Sequence, residues 1–363
     1  MGQRESRLED LVIDAGFWRG RRVFLTGHTG FKGAWTALLL RSVGAEVYGL
    51  SLPPHSENDL FNVVRLRDDL VHRLGDIRDI ATIRGALEEA RPDVVIHMAA
   101  QALVRASYED PVETYTTNIL GTVNLLEAAR LFPSIRAVVV VTSDKCYENN
   151  GSLRACREDD PMGGHDPYSS SKGCAEIITA SYRRSFFQNE ASTLIASARA
   201  GNVIGGGDWS RDRLVPDIML AFMAGEAVRI RNPDAIRPWQ HVMDPVMGYL
   251  RLAERLVQGG SSFAEAWNFG PGEDKEIPVS ALVQGLAAHW GTDARWVPDK
   301  SDNPHEAAYL KLNCEKARTR LDWLPVIDFD LALKLSSQWY RAFQRGSDMR
   351  AVTLQQIDAI LTA

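Results

Sequence analysis

Residues 22–33 read Arg-Val-Phe-Leu-Thr-Gly-His-Thr-Gly-Phe-Lys-Gly, and an apolar run, 34–40, follows directly. The first five residues have the composition of a buried strand, and the run after the glycines is typical of a helix. Gly27 permits a tight turn, Gly30 lets the backbone approach a pyrophosphate, and Gly33 lets helix and strand pack closely. The phosphates would lie at the positive end of the helix. The stretch therefore predicts a strand, a dinucleotide-binding turn and a helix.

Apolar strands alternate with helix-length segments through the following part of the chain. We predict strands at 23–26, 46–50, 71–75, 94–98, 137–141 and 193–198, with helices that include 80–90, 112–131 and 168–187. This alternation indicates an α/β fold with a doubly wound parallel sheet, the Rossmann arrangement. Residues 137–141 are apolar throughout, as a strand covered on both faces must be, and a ligand crevice is expected at its carboxyl end.

The composition changes after residue 200, where glycine, tryptophan and proline become frequent. We predict a dinucleotide-binding domain at 20–200, with a returning segment near 240–262. A smaller substrate-binding domain would consist of 201–239 and 263–345. Residues 1–19 precede the first strand and have no assignable role.

The size and charge of the chain limit the classes of function. Its 363 residues are 45% hydrophobic, enough for a large core, and its net charge of −6 disfavours nucleic acid as a partner. No membrane span or secretory signal is visible, so we expect a cytoplasmic protein without a membrane partner. The four cysteines show neither disulfide nor zinc spacing, and no metal is expected.

Tyr168 and Lys172 are separated by one helical turn in the segment after Pro167. On a helix, positions i and i+4 share a face, so Lys172 would lower the pKa of the Tyr168 phenol. Such a tyrosine can take a proton from a substrate hydroxyl, as the oxidation of an alcohol requires. Taken alone, the same spacing is also typical of a solvated pair on a surface helix.

The chain resembles the extended short-chain dehydrogenase/reductases from about residue 20 to about residue 340, through its Gly-x-x-Gly-x-x-Gly turn and its Tyr-x-x-x-Lys pair. Within that family it is most similar to the nucleotide-sugar 4,6-dehydratases, which carry an acid and a base directly after a Ser or Thr. Ser143, Asp144 and Lys145 match these three positions. Lys145, together with the stretches 205–209 and 237–241, makes the group that acts on CDP-glucose the closest match.

The resemblance implies a reaction in three stages. Tyr168, near Ser143 and Lys172, removes the C4 hydroxyl proton while hydride leaves C4; Lys145 then removes the C5 proton and Asp144 protonates the departing C6 hydroxyl. Hydride returns to C6, which gives a 4-keto-6-deoxy sugar. From the residues alone, Asp144 and Lys145 could instead be a solvated pair, and their adjacency favours the charged forms of both.

The cofactor implied by the resemblance is NAD. The acid expected at the end of the second strand is missing, and no arginine there would take the 2′-phosphate of NADP. Asp76 and Ile77 match an adenine contact, although Asp76 could equally be a helix N-cap. The predicted cofactor contacts are Gly27, Thr29, Gly30, Phe31, Lys32, Gly33, Asp76, Ile77, Ala99, Tyr168 and Lys172.

The predicted substrate contacts likewise follow from the resemblance, since guanidinium groups suit a diphosphate and Asn118 matches a residue that fixes the backbone of the site. They are Gln101, Asn118, Arg199, Asn202, Arg213, Arg237, Asn268, His305 and Tyr309.

Two other functions stay open. A nucleotide-sugar 4-epimerase would need Tyr168 and Lys172 without Asp144 or Lys145, and a non-catalytic dinucleotide sensor would need none of them. By analogy we expect a homodimer or homotetramer, in which the segment 112–131 and the helix after Pro167 form a four-helix bundle with a second copy.

Overall fold

The structure is a computed structural model that describes residues 13–149, 151, 154–188, 193–271, 277–291, 295–298 and 309–362. Its centre is a parallel sheet of seven strands. In chain order the strands are β1 (Arg22–Thr26), β2 (Glu46–Ser51), β3 (Val71–Leu74), β4 (Val94–His97), β5 (Ala137–Val141), β6 (Leu194–Ala200) and, after three short strands outside the sheet, β10 (Ala266–Phe269).

The spatial order of the strands is β10-β6-β5-β4-β1-β2-β3. Because the chain leaves β1 toward β2 on one side and returns through β4 on the other, the order reverses between β1 and β4, where α/β sheets bind ligands. The α/β prediction and all six predicted strands are confirmed. Most of the six are short runs rich in apolar residues, as a sheet covered on both faces selects, whereas β3 at the edge of the sheet contains His72 and Arg73 and is partly exposed.

Helices cover both faces of the sheet. In chain order they are α1 (Ala15–Trp18), α2 (Phe31–Ser42), α3 (Leu60–Val63), α4 (Ile80–Ala90), α5 (Val104–Glu109), α6 (Pro111–Tyr115), α7 (Gly121–Ala129), α8 (Pro167–Phe186), α9 (Leu214–Met223), α10 (Met243–Gly259), α11 (Val279–Trp290), α12 (Glu315–Arg320), α13 (Phe329–Gln344) and α14 (Met349–Leu361). α4, α7 and α8 pack on one face, and α2 and α10 on the other.

The remaining strands form two small parallel pairs near the carboxyl edge of the sheet. β7 (Val203–Ile204) pairs with β9 (Gln240–His241), and β8 (Val228–Ile230) pairs with β11 (Trp296–Pro298). The sheet also contains β10, although the predicted smaller domain includes that segment. β10 has only four residues and Asn268 interrupts its apolar pattern, so periodicity does not identify it.

Residues just before β1 also have a packing role that the sequence does not predict. Trp18 is fully buried, and its Nε1 donates to Oε1 of Glu254 on α10 at 2.6 Å. Phe17 packs edge-on against the Trp18 ring. The segment 13–18 thus attaches to the helix that returns to the sheet.

Candidate active site

The glycine turn has the geometry expected of a dinucleotide cradle. Gly27 has a φ of +77°, and a Cβ there would lie 2.7 Å from the backbone nitrogen of Ala99, which follows β4. At Gly33 a Cβ would collide with the carbonyl oxygen of Gly27. Gly30 is the N-cap of α2, where a Cβ would meet nothing closer than 3.5 Å. The turn therefore requires glycine at two positions and leaves the helix end open for phosphate.

The position of the missing ribose acid is taken by a hydroxyl pair. Thr29 Oγ1 lies 2.7 Å from Oγ of Ser51 at the end of β2, and it also donates to the carbonyl of Leu52. Asp76 accepts two hydrogen bonds from the side chain of Arg78, and the N-cap of α4 is Asp79 rather than Asp76. The N-cap alternative for Asp76 is therefore wrong, whereas its predicted adenine contact stays a prediction.

A cleft of about 310 Å³ opens at the carboxyl edge of the sheet, beside the glycine turn. Phe31, Lys32, Ser143, Asp144, Lys145 and Tyr168 line it, so the structure brings four of the five predicted catalytic residues together. Ser143 and Asp144 follow β5 directly, and Tyr168 lies in the first turn of α8, which Asp166 caps. The volume is at the lower end of the range for small-molecule pockets.

Tyr168 is almost fully buried, and burial raises the pKa of its phenol to about 12. A hydrogen bond with Ser143 and the charge of Arg213 act in the opposite direction. This direction differs from the sequence prediction, which expected Lys172 to lower the pKa of Tyr168. The difference arises because desolvation of the phenolate outweighs the neighbouring charges.

Lys172 lies behind the tyrosine, where its Nζ donates to the carbonyl of Val141 at 3.4 Å. Burial lowers the pKa of Lys172 to about 8, while the carboxylate of Glu176 acts against this shift. Glu176 follows one turn later on α8, so Tyr168, Lys172 and Glu176 form a ladder on one helix face. The predicted pairing of Tyr168 and Lys172 on one face is therefore present, but with Lys172 placed toward the sheet.

Asp144 is 2% exposed, and burial raises the pKa of its carboxyl group. Its Oδ1 accepts a hydrogen bond from Ser143, while its Oδ2 faces Gly201 and has no hydrogen-bond partner within the described part of the chain. Lys145 acts against the pKa shift, yet burial dominates. A raised pKa favours the protonated carboxyl, the form that can donate a proton.

Lys145 is half-buried in the cleft wall, and its backbone N–H donates to Oγ of Ser143. A second lysine, Lys32, reaches the cleft from α2 and donates to Tyr249 Oη on α10 at 3.5 Å. Burial and the charges of Arg213 and Lys172 lower the pKa of Lys32 to about 7. The catalytic end of the cleft thus holds amines and carboxyls whose charges are weakly solvated.

Three of the predicted substrate contacts line the same cleft: Asn202, Arg213 and Arg237. Arg213 pairs with Asp208 at 3.0 Å. Sequence reasoning missed several other lining residues, which are Arg105, Tyr108, Asp208, Arg211, Asp212, Asp217, Arg231 and Trp239. Only their proximity to the glycine-rich stretch 205–209 and to Arg237 could have indicated them.

Gln101 and Asn118 hold the backbone of the site instead of facing the cleft. Asn118 accepts from the Gln101 backbone N–H at 2.8 Å and donates to the Gln101 carbonyl and to Oγ of Ser171. Ser171 donates in turn to the carbonyl of Tyr168. The predicted backbone-fixing role of Asn118 is present, and its polar atoms are occupied within the protein, so neither side chain is placed as a substrate contact.

Arg199 and Asn268 belong to a buried network behind the cleft. Arg199 pairs with Glu176 at 2.8 Å and donates to Oη of Tyr147, which donates to Oδ1 of Asn268. Because this buried guanidinium pairs with Glu176 and Tyr147 and does not line the cleft, the structure does not bring Arg199 to a substrate diphosphate. The sequence could not show this, since the partners come from distant segments.

The last two predicted substrate contacts are Tyr309 and His305. Tyr309 is half-buried and forms a bridge with Ile236, outside the residues that line the cleft. His305 lies outside the described residues. Within the described ranges, no three His, Cys, Asp or Glu side chains are grouped to hold a metal ion, and no helix is both long and apolar enough to cross a membrane.

Comparison with known proteins agrees with this architecture. The sequence is 48% identical over 97% of the chain, and over 99% of the relative, to the CDP-glucose 4,6-dehydratase of Salmonella typhimurium. A UDP-glucose 4-epimerase of Thermotoga maritima has a similar fold, with a TM-score of 0.76 and 22% identity over 88% of this chain and 99% of that one. A dTDP-glucose 4,6-dehydratase of Bacillus anthracis, solved in complex with NAD, aligns with a TM-score of 0.73 and 22% identity over 90% and 98% of the two chains.

A family model described as GDP-mannose 4,6-dehydratase matches residues 24–335, a range that includes the glycine turn, the catalytic strand end and the cleft. The resemblance to the nucleotide-sugar 4,6-dehydratases among the extended short-chain dehydrogenase/reductases is therefore confirmed, and the chain belongs to the GDP-mannose 4,6-dehydratase family.

Proposed function

We propose that the protein is an NAD-dependent CDP-glucose 4,6-dehydratase, which converts CDP-glucose to CDP-4-keto-6-deoxyglucose and water. The observation that carries the proposal is the placement of Asp144 and Lys145 beside Ser143 and Tyr168 in one cleft. A 4-epimerase has no use for this additional acid and base. The likeness to the Salmonella enzyme supports the choice of CDP-glucose.

The residues fit NAD, because the turn at Gly27 approaches the end of β4 closely and the N-terminus of α2 is open for phosphate. The hydroxyls of Thr29 and Ser51 stand where a ribose would be held. When bound, NAD supplies the hydride acceptor for C4 and afterwards the hydride donor for C6. No net oxidant is consumed, because the hydride returns to the same sugar.

Proton movements are assigned to the side chains of the cleft. Tyr168 takes the C4 hydroxyl proton, with Ser143 and Arg213 stabilising its phenolate against the desolvation. Lys145 removes the C5 proton, which the C4 ketone has made acidic, and returns it to C5 when hydride reaches C6. Asp144, kept protonated by burial, donates a proton to the C6 hydroxyl that leaves as water. Arg213 and Arg237, which line the cleft, would hold the diphosphate.

We further propose that the protein is a homodimer that acts in the cytoplasm. The helices predicted to form the interface expose apolar side chains: Val112 is 69% exposed, Leu120 45%, Ile177 57% and Phe186 53%. Such a face is typical of a surface that a second copy covers. The four cysteines are free thiols, which agrees with a reducing compartment.

The proposal is tested by incubating the purified protein with a panel of nucleotide-diphosphoglucoses and measuring product mass. We expect loss of one water from CDP-glucose and the absorbance of a ketosugar in base. Product of unchanged mass would instead indicate a 4-epimerase, and the absence of any product would leave the sensor function. Denaturing the protein and identifying the released dinucleotide separates NAD from NADP.

A further inference from the structure

Four carboxylates line the described part of the cleft: Asp144, Asp208, Asp212 and Asp217. Asp144 accepts a hydrogen bond from the hydroxyl of the preceding residue, and Asp208 and Asp212 each pair with an arginine at 3.0 Å. The side chain of Asp217 makes no hydrogen bond or ion pair within the described ranges. It differs in this respect from the other three.

The surroundings of Asp217 make this lack of a partner unfavourable. Asp217 lies half-buried in the first turn of α9, and the lining of the same cleft includes the buried apolar residues Val215, Val228 and Ile230 as well as several arginines. Burial raises the pKa of its carboxyl to about 6, and the charge of Asp212 acts in the same direction, whereas the charges of Arg231 and Arg105 act against it. A polar group in such a place destabilises the protein unless a hydrogen bond compensates its desolvation.

A second side chain in the same cleft also lacks a partner. Trp239 is 5% exposed and lines the cleft, and its indole Nε1 has no hydrogen-bond partner among the residues that the structure describes. Buried indole N–H groups normally find an acceptor. Beyond the catalytic residues, the described part of the cleft therefore offers an acceptor without a partner at Asp217 and a donor without a partner at Trp239.

A carboxylate would repel the diphosphate of a nucleotide sugar, so Asp217 must face a part of the ligand that carries N–H donors. The base of the nucleotide is such a part. Cytosine presents an amine at C4, from which Asp and Glu accept hydrogen bonds, whereas uracil and thymine present a carbonyl oxygen at that position. An unpaired carboxylate thus favours the first base and disfavours the other two.

We infer that Asp217 accepts a hydrogen bond from the C4 amine of cytosine and thereby selects CDP-linked over UDP-linked and dTDP-linked sugars. This inference rests on the proposed function and extends it to the choice of base. In this arrangement apolar side chains of the cleft pack against the faces of the cytosine ring, and the Asp217 carboxylate accepts a hydrogen bond at the edge of the ring that carries the amine. Asp217 is a specificity residue that contacts the nucleotide far from the bonds that react.

The test is the binding of CDP and UDP, measured by calorimetry, so that catalysis does not enter the result. We expect the wild-type protein to prefer CDP by at least tenfold, as one base-edge hydrogen bond provides. In Asp217→Asn the affinity for CDP should fall roughly tenfold and that for UDP should rise, because the Asn amide can donate to the uracil O4. Asp217→Ala should lose affinity for CDP without a gain for UDP.

Asp212→Asn is the matched control, since Asp212 lines the same cleft but already pairs with Arg105 and Arg231. It should change the affinities for CDP and UDP equally. An unchanged CDP-to-UDP ratio in Asp217→Asn would overturn the inference while leaving the proposed function intact. A wild-type protein that does not prefer CDP would contradict the proposed function itself.

Discussion

At the scale of single residues, burial sets the properties of the catalytic groups more strongly than their neighbours do. It raises the pKa of Asp144 and of Tyr168 and lowers that of Lys172. The raised pKa of Asp144 favours the protonated carboxyl that a general acid needs. The raised pKa of Tyr168 disfavours the phenolate that a general base needs. Burial thus keeps the proton donor Asp144 in its protonated form, whereas the phenolate of Tyr168 depends on Ser143 and Arg213.

Replacing Asp144 by Asn removes the proton but keeps the shape of the side chain. We expect kcat to fall by roughly 10²- to 10⁴-fold, the usual contribution of a general acid. Because oxidation at C4 does not use Asp144, the absorbance of reduced dinucleotide should build up during a single turnover. Undiminished formation of the 4-keto-6-deoxy product from CDP-glucose would remove Asp144 from the role of acid.

We expect the buried amine of Lys172 to be needed for activity but to lower the free energy of unfolding. Since its pKa is lowered to about 8 in the folded protein, the unfolded chain binds more protons between pH 8 and 10.5, and stability rises with pH through that window. Below pH 8 the buried charge costs on the order of 3 kcal/mol. Lys172→Met should therefore raise the free energy of unfolding at pH 7 while abolishing activity.

Urea unfolding at pH 7 and at pH 9.5 measures both effects. In Lys172→Met the rise of stability with pH should become smaller but not vanish, because Lys32, with a pKa lowered to about 7, contributes in the same direction. Lys334→Met, at an exposed lysine on α13, should leave stability nearly unchanged. A Lys172→Met protein less stable than wild type at pH 7 would contradict the lowered pKa of Lys172 in the folded protein.

At the scale of elements, the sequence predicts what depends on local pattern and misses what depends on distant partners. Most of the six strands are visible as apolar runs, and the glycine turn is visible through its spacing. β10 is too short and polar to recognise, and the pairing of Arg199 with Glu176 joins β6 to α8. The predicted catalytic residues lie in local motifs that the sequence shows directly, whereas the cleft residues on α9 are brought to the cleft only by tertiary packing.

The attachment of α1 to α10 gives a prediction that concerns stability alone. In Trp18→Phe the ring still fills its buried site, but Glu254 loses the hydrogen bond from the indole nitrogen. Leaving this buried carboxylate less satisfied should lower the free energy of unfolding by about 1–3 kcal/mol. Thermal unfolding measures the loss, and kcat should equal that of the wild type. A large fall in kcat would mean that α1 also positions the cleft.

At the scale of the whole molecule, the reversal of strand order brings three separate segments to one edge. The glycine turn follows β1, Ala99 follows β4, and Ser143 and Asp144 follow β5. α8 then carries Tyr168 across this edge while its opposite face points outward with Ile177 exposed. One helix thus connects the catalytic centre to the surface proposed for the dimer.

The dimer is tested by placing a charge on that surface. Ile177→Glu should convert the protein to a monomer at micromolar concentration, because a charge at the centre of an apolar interface is costly to bury. Light scattering measures the change in mass, and Leu324→Glu, at an exposed leucine away from these helices, is the control. Because Ile177 lies on α8, the monomer should also lose activity if the partner helps to hold Tyr168 in place. A wild-type protein that is already monomeric would contradict the proposed assembly, whereas a dimeric Ile177→Glu protein would place the interface elsewhere.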